Sequence, residues 1–150
     1  MKISIGNDHG GCDLAKFLAK ELENDGFDIV YYGSFPDDGP VDYPDFAKKV
    51  ANDIKLLNSD FGILVCRTGI GMCISANRVR GVRAAVCYSE QIAKLARQHN
   101  NANIACFGAD MTDEKLALLI ARTFLHTNFL SGRHQERINK IDTIGTQDEQ

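Results

Sequence analysis

Short apolar runs alternate along the chain with longer stretches that carry apolar residues at helical spacing. The short runs predict β-strands at residues 2–6, 27–32, 61–66, 83–88 and 103–108. The longer stretches predict helices. In the first of them, Leu14, Phe17, Leu18 and Leu22 recur every three or four residues, and this stripe ends at Gly26.

Five further helices follow from the same spacing and from local start signals. They are predicted after Pro44, over 74–79, after the N-cap candidate Ser89, over 116–125 behind a capping sequence at 112–115, and after Ser131-Gly132. Strand–helix alternation with few hairpin signals favours a parallel sheet with helices on both faces. We therefore predict one α/β domain over residues 1–150, without a second domain, an internal repeat or a low-complexity segment.

Ligands in such sheets bind beyond the carboxyl ends of the strands. The segments expected there are 7–11, 33–43, 66–71, 88–89 and 108–111, and they are rich in polar residues. We therefore expect the functional chemistry of the protein to gather at this edge of the sheet.

Composition and charge narrow the classes of function. The net charge of −3 provides no overall positive field for nucleic acid or an anionic membrane. The N-terminus does not have the composition of a signal peptide, and no apolar run approaches about 18 residues. Five cysteines without CxxC spacing suggest a reduced, cytoplasmic protein. The four histidines show no metal-binding spacing, so no metal site is expected.

The segment CRTGIGMCISANR (66–78) places glycines and a thiol directly after a predicted strand. It does not have the sequence of a phosphate-binding P-loop, because Met72 and Cys73 follow Gly71, nor that of a dinucleotide fingerprint, because Ile74 replaces the third glycine. The remaining features are a strand end, a thiol, a tight turn and a helix N-terminus, whose N–H groups stabilise negative charge. The segment is either a structural turn with a buried cysteine or a site for an anion that forms during a reaction.

Two polar pairs elsewhere leave similar alternatives open. Asp8-His9 follows the first predicted strand and is either a helix cap with a surface imidazole or part of a site. His99-Asn100 follows a helical run and either ends that helix or has a functional role.

A third candidate lies near the C-terminus. Arg133 and Arg137 are four residues apart and share one helical face, with His134 beside them. Two arginines on one face suit a phosphate group, which they can bind through paired N–H donors. A solvated charged face is the alternative. His126 has no evident partner and is interpreted as structural.

Together these segments resemble the type B ribose-5-phosphate isomerases and their relatives that act on allose and galactose 6-phosphates. The matching stretches run in that family's order over nearly the whole chain: DHGG (8–11), DYPDFA (42–47), CRTGIGMCISANR (66–78), GVRAAVC (81–87), ARQHNNAN (96–103) and GRHQERI (132–138). The resemblance implies a Rossmann-like three-layer αβα sandwich with a five-stranded parallel sheet.

The resemblance also implies an activity and an assembly. The reaction would interconvert ribose 5-phosphate and ribulose 5-phosphate in the pentose phosphate pathway, through ring opening and a cis-enediolate, without metal or organic cofactor. The protein would be a homodimer or a dimer of dimers whose active sites draw on two subunits. The C-terminal helical segment from about residue 131 would contribute to the subunit interface.

Roles for individual residues follow from the same resemblance. Cys66 would transfer the proton between C1 and C2, His99 would protonate the ring oxygen, and Asp8 would handle a hydroxyl proton. The turn residues Thr68, Gly69, Ile70 and Gly71 would hold the enediolate through their N–H groups, with Thr68 also near the reacting carbons. Tyr43 and Asn100 would orient the sugar. His9, Arg133 and Arg137 would bind the phosphate, with His134 as a further candidate.

Three positions depart from the family pattern. Met72 replaces a glutamate found in some members, which leaves Cys66 as the base. Arg67 stands where a glycine is usual, and Asp110 stands where an arginine usually helps to hold phosphate. Arg67 would therefore replace the missing phosphate contact or pair with Asp110, unless it points to solvent while Asp110 caps the next helix.

Other functions remain open from the sequence. They are an isomerase of six-carbon sugar phosphates, a phosphosugar-binding module without turnover, and a thiol redox protein. The last lacks a resolving cysteine at CxxC spacing.

Overall fold

The computed structural model describes residues 1–144, so the last six residues of the predicted domain lie outside the described part. Within residues 1–144 the chain forms five strands and six α-helices. The strands are β1 (Lys2–Asn7), β2 (Asp28–Tyr31), β3 (Phe61–Cys66), β4 (Ala84–Val86) and β5 (Ile104–Gly108). The helices are α1 (Cys12–Asn24), α2 (Tyr43–Lys55), α3 (Ile70–Ala76), α4 (Glu90–Asn100), α5 (Glu114–His126) and α6 (Arg133–Thr143).

The five strands form one parallel sheet in the order β2-β1-β3-β5-β4. Side chains of β1, β3 and β5 alternate between its two faces, as the pleat requires. Ile3, Ile63 and Phe107 pack with α1, α4 and α5, whereas Leu64 and Cys66 pack with α2 and α3. The predicted three-layer αβα sandwich is therefore confirmed, and the Cys66 thiol faces the layer of α2 and α3.

All five predicted strands are present, but β4 is shorter than predicted. The backbone N–H of Arg83 donates to the side chain of Asn103, and only Ala84–Val86 pair with β5. The prediction of a helix over 74–79 was wrong at both ends, because α3 begins at Ile70, directly after Gly69 in the left-handed region (φ 78°), and ends at Ala76. Two short 3-10 helices, His9–Gly11 and Pro36–Asp38, were not predicted as separate elements.

A buried carboxylate joins the sheet to α2. Asp53 accepts hydrogen bonds from Ser4 Oγ at 2.7 Å and from the Tyr32 hydroxyl at 2.9 Å, and Ser59 Oγ lies 2.7 Å from Ser4 Oγ. Burial by itself would raise the pKa of Asp53, but the hydrogen bonds donated by Ser4, Tyr32 and Asn58 outweigh it, so the pKa is lowered. The charged form of Asp53 is therefore part of the folded structure.

Within the described residues, no helix is both long enough and apolar enough to cross a membrane. The ring of His126, which the sequence analysis interprets as structural, is exposed and lies against Phe27 with the centroids 5.8 Å apart.

Candidate active site

Cys66 ends β3 with its side chain buried. The backbone N–H of Gly69 donates to the Cys66 sulfur at 3.1 Å. This contact needs the tight turn that Gly69 makes, and a Cβ at Gly69 would lie 3.0 Å from the backbone of Phe107. A thiolate at Cys66 would therefore be stabilised by a peptide dipole that the fold holds in place.

The residues after Gly69 begin α3 and lie beside an aromatic ring. The N–H of Ile70 donates to Thr68 Oγ1 at 3.3 Å. Gly71 is in the first helical turn, whose N–H groups have no acceptor within the helix. A Cβ at Gly71 would lie 2.9 Å from the ring of Tyr43, so this glycine lets the half-exposed tyrosine pack against the turn.

Asp8 and His9 follow β1, next to the end of β3. Asp8 is buried, its N–H donates to Val65 O at 3.3 Å, and its Oδ1 accepts from the N–H of Gly10 at 2.9 Å. Asp8 therefore caps a helix, which is one of the two alternatives that the sequence left open for this position. His9 is exposed, and its Nδ1 accepts from the N–H of Val41 at 3.2 Å. In the neutral form of His9 the proton is therefore on Nε2, which can donate to a ligand.

His99 and Asn100 lie near the amino ends of the strands, opposite the ends that carry the strand-end residues. Helix α4 starts beyond the carboxyl end of β4 and runs back for 11 residues, about 16 Å. Near its end the guanidinium of Arg97 lies 4.7 Å from the ring centroid of Phe61, the first residue of β3. Since β3 spans about 17 Å from Phe61 to Cys66, His99 and Cys66 of one chain are far apart.

Helix α6 brings the C-terminal candidates to His99. The rings of His99 and His134 stack with their centroids 4.4 Å apart and an angle of 8° between the planes. Burial is the largest cause that lowers the pKa of His134, and the nearby His99, Arg133 and Arg137 lower it further. The lowered pKa favours the neutral form of His134. Arg133 and Arg137 are exposed on the same helix.

The predicted site residues therefore fall into two groups. The strand-end cluster contains Asp8, His9, Tyr43, Cys66, Thr68, Gly69, Ile70 and Gly71. The helix-end cluster contains His99, Asn100, Arg133, His134 and Arg137. The structure brings the members of each group together but does not unite the two groups within one chain. Among residues 1–144, no three His, Cys, Asp or Glu side chains gather in a way that could hold a metal ion.

Arg67 and Asp110 form an ion pair at the strand ends. Arg67 Nη1 lies 3.5 Å from Asp110 Oδ2, and both side chains are more than half exposed. Asp113, rather than Asp110, caps α5 by accepting from the N–H of Leu116 at 2.9 Å. Of the three alternatives for these positions, pairing is the one observed.

A buried thiol that accepts a hydrogen bond from a fixed N–H donor at the carboxyl end of a parallel strand marks the candidate site of an α/β protein. Comparison with known proteins gives the family. A sequence profile described as ribose/galactose isomerase matches residues 3–141. The probable ribose-5-phosphate isomerase B of Mycoplasma genitalium is 44% identical over 140 residues, 93% of this chain and 92% of that protein. The chain belongs to the ribose/galactose isomerase family, as the sequence motifs predicted.

Solved structures agree with this assignment. Ribose-5-phosphate isomerase B of Clostridium thermocellum superimposes with a TM-score of 0.94 at 44% identity, over 96% of this chain and 97% of that one. A Mycoplasma genitalium ribose-5-phosphate isomerase B with bound ribulose-5-phosphate gives a TM-score of 0.89 at 44% identity, over 94% and 93% of the two chains.

Proposed function

We propose that the protein is a ribose-5-phosphate isomerase, which interconverts ribose 5-phosphate and ribulose 5-phosphate. The observation that carries this proposal is the Cys66 sulfur held 3.1 Å from the Gly69 N–H at the end of β3. The ribulose-5-phosphate bound to a relative of 44% identity supports the choice of substrate.

Isomerisation moves a proton between C1 and C2 of the open sugar and forms an enediolate. Cys66 takes and returns this proton, since its sulfur lies at the end of β3 and accepts a hydrogen bond from a peptide N–H that the fold holds in place. The developing oxyanion needs donors that are already in position. The turn from Thr68 to Gly71 supplies them at the start of α3, where the Gly71 N–H has no acceptor within the helix. Asp8, buried where β1 ends beside β3, accepts the hydroxyl proton.

A second subunit completes the site. The helix-end cluster cannot reach Cys66 of its own chain. The cluster lies near the amino ends of the strands, whereas Cys66 lies at a carboxyl end. We infer a homodimer in which the helix-end cluster of each chain meets the strand-end cluster of its partner. Exposed apolar residues near both clusters support an interface: Ile70 and Ile74 on α3, Tyr88 after β4, and Ile141 on α6. Helix α6 thus takes part in the subunit interface.

Each helix-end residue then has a task at the partner's strand ends. His99 protonates the ring oxygen during ring opening, and its orientation is supported by stacking on His134. Asn100 and Tyr43 orient the sugar. Arg133 and Arg137 bind the phosphate dianion with paired donors, together with His9 Nε2. No step in this scheme uses a metal or an organic cofactor.

The test is an assay of the purified protein on ribose 5-phosphate, allose 6-phosphate and galactose 6-phosphate. Turnover of ribose 5-phosphate with the highest kcat/KM supports the proposal, and preference for a six-carbon substrate refutes the choice of sugar. No turnover of any of them would favour a binding module.

The role of the thiol is tested by Cys66→Ser. We expect kcat to fall at least about 100-fold, the size of effect of losing a general base, with KM nearly kept. Cys73→Ser is the matched control, because Cys73 is a partly buried thiol on α3 that hydrogen-bonds Ala84 O. Near-normal turnover in Cys66→Ser would remove Cys66 from the mechanism.

The cellular location proposed from the sequence is the cytoplasm. All five cysteines are free thiols in the structure, which fits a reducing compartment.

A further inference from the structure

The Arg67 side chain lies across the ends of three neighbouring strands. Arg67 itself follows β3, and its Cγ would be only 2.6 Å from a Cβ added at Gly10, which follows β1. Its guanidinium reaches Asp110, which follows β5, at 3.5 Å. Gly10 therefore leaves the space in which the arginine stem lies, and any larger residue there would displace it.

Gly10 and Asp110 also line a cavity of about 700 Å³ beside the strand-end cluster, with His9 in its wall. Besides His9, the acidic and basic side chains of this wall are Asp13, Asp110, Asp113, Glu114 and Lys115. Four carboxylates and one ammonium group would repel a phosphate dianion. A phosphate group that lies at this side of the strand ends therefore needs a cation nearby.

Arg67 is placed to be that cation. It is the residue next to Cys66, its side chain is 66% exposed, and it offsets the charge of Asp110. A guanidinium has five N–H donors in a planar fork, so it can keep one contact with Asp110 while other N–H groups bind phosphate oxygens.

We propose that Arg67 binds the phosphate group of the substrate from the same chain that supplies Cys66. This inference rests on the proposed function and adds a third arginine to Arg133 and Arg137, which come from the second subunit. The phosphate is then held by cations from both chains.

The experiment compares Arg67→Gln with wild type in two measurements. One is the binding of inorganic phosphate, measured by calorimetry at constant ionic strength without any turnover. The other is the steady-state kinetics with ribose 5-phosphate. We expect about tenfold weaker phosphate binding and a similar rise in KM, as for the loss of a charged hydrogen bond at an exposed site, with a smaller change in kcat. Arg67→Lys keeps the charge without the fork and should recover part of the affinity.

Arg122→Gln is the matched control. Arg122 forms a partly exposed ion pair with Asp25 at 2.7 and 2.8 Å, away from the strand ends, so its replacement should leave phosphate binding unchanged. Equal phosphate affinity in Arg67→Gln and Arg122→Gln would overturn the inference. So would a fall in kcat alone.

Failure of the proposed function would look different. In that case the wild-type protein would not turn over ribose 5-phosphate, while the dependence of phosphate binding on Arg67 would persist.

Discussion

Two variants that are each inactive should restore activity when they share a dimer. Cys66→Ser damages the strand-end cluster, and His99→Ala damages the helix-end cluster. The two clusters lie at opposite ends of the strands. In a mixed dimer, one site combines the intact Cys66 of one chain with the intact His99 of the other. The second site combines both defects.

The size of the recovery follows from this geometry. Random pairing of equal amounts makes about half of all dimers mixed, and half of the sites in them are intact, so about one quarter of wild-type activity should return. The assay is isomerisation of ribose 5-phosphate after co-expression of the two variants with different affinity tags. Dimers that carry both tags should then have about half of the wild-type kcat per dimer.

A second pair of variants provides the control. Cys66→Ser and Asp8→Asn both damage the strand-end cluster, so each site of their mixed dimer keeps one defect and no activity should return. If the first pair recovers no more activity than this control, the site is not shared between subunits and the proposed assembly is wrong.

Two further predictions concern ring opening and stability. His99→Ala should reduce turnover of the cyclic sugar while a linear phosphosugar analogue still binds well; equal loss of affinity for linear and cyclic ligands would make His99 a general binding residue. Asp53→Asn should lower the free energy of unfolding in urea at pH 7 by about 1–3 kcal/mol, because the donors Ser4 and Tyr32 lose a charged acceptor. Since the folded pKa of Asp53 is lowered, its contribution is present above the unfolded pKa of about 4 and disappears as the pH falls through the folded value. Wild type should therefore lose more free energy of unfolding between pH 5 and pH 3 than Asp53→Asn does. Asp28→Asn, at an exposed position, serves as the reference variant. An equal loss in wild type and in Asp53→Asn would contradict the prediction.

Most of the fold could be predicted from the sequence, because short apolar runs and helical stripes report which residues face the core. The start of α3 could not, since it depends on the left-handed Gly69 and on the exposure of Ile70 and Ile74. Their apolar character in the sequence did not distinguish an exposed face from a core face. The shortening of β4 could not be predicted either, because the N–H of Arg83 donates to the side chain of Asn103, which lies in a distant segment.

The strand ends at which the strand-end cluster lies could be predicted from the sequence, but the contacts of the side chains there could not. The turn after β3 and the cap at Asp8 follow local rules of sequence. The pairing of Arg67 with Asp110 depends on how the ends of β3 and β5 lie side by side. The stacking of His99 on His134 depends on how α6 packs against α4. Contacts of this kind arise from tertiary packing, which periodicity does not report.

The direction of α4 has a consequence for how activity depends on the amount of protein. This helix carries His99 away from the thiol of its own chain, so in the proposed dimer a newly made monomer would hold two half-sites and no complete one. At concentrations well below the dissociation constant of the dimer, the number of complete sites rises with the square of the chain concentration. A twofold change in expression would then change the total activity about fourfold. In an enzyme whose site lies within one chain, the same change in expression would change activity only about twofold.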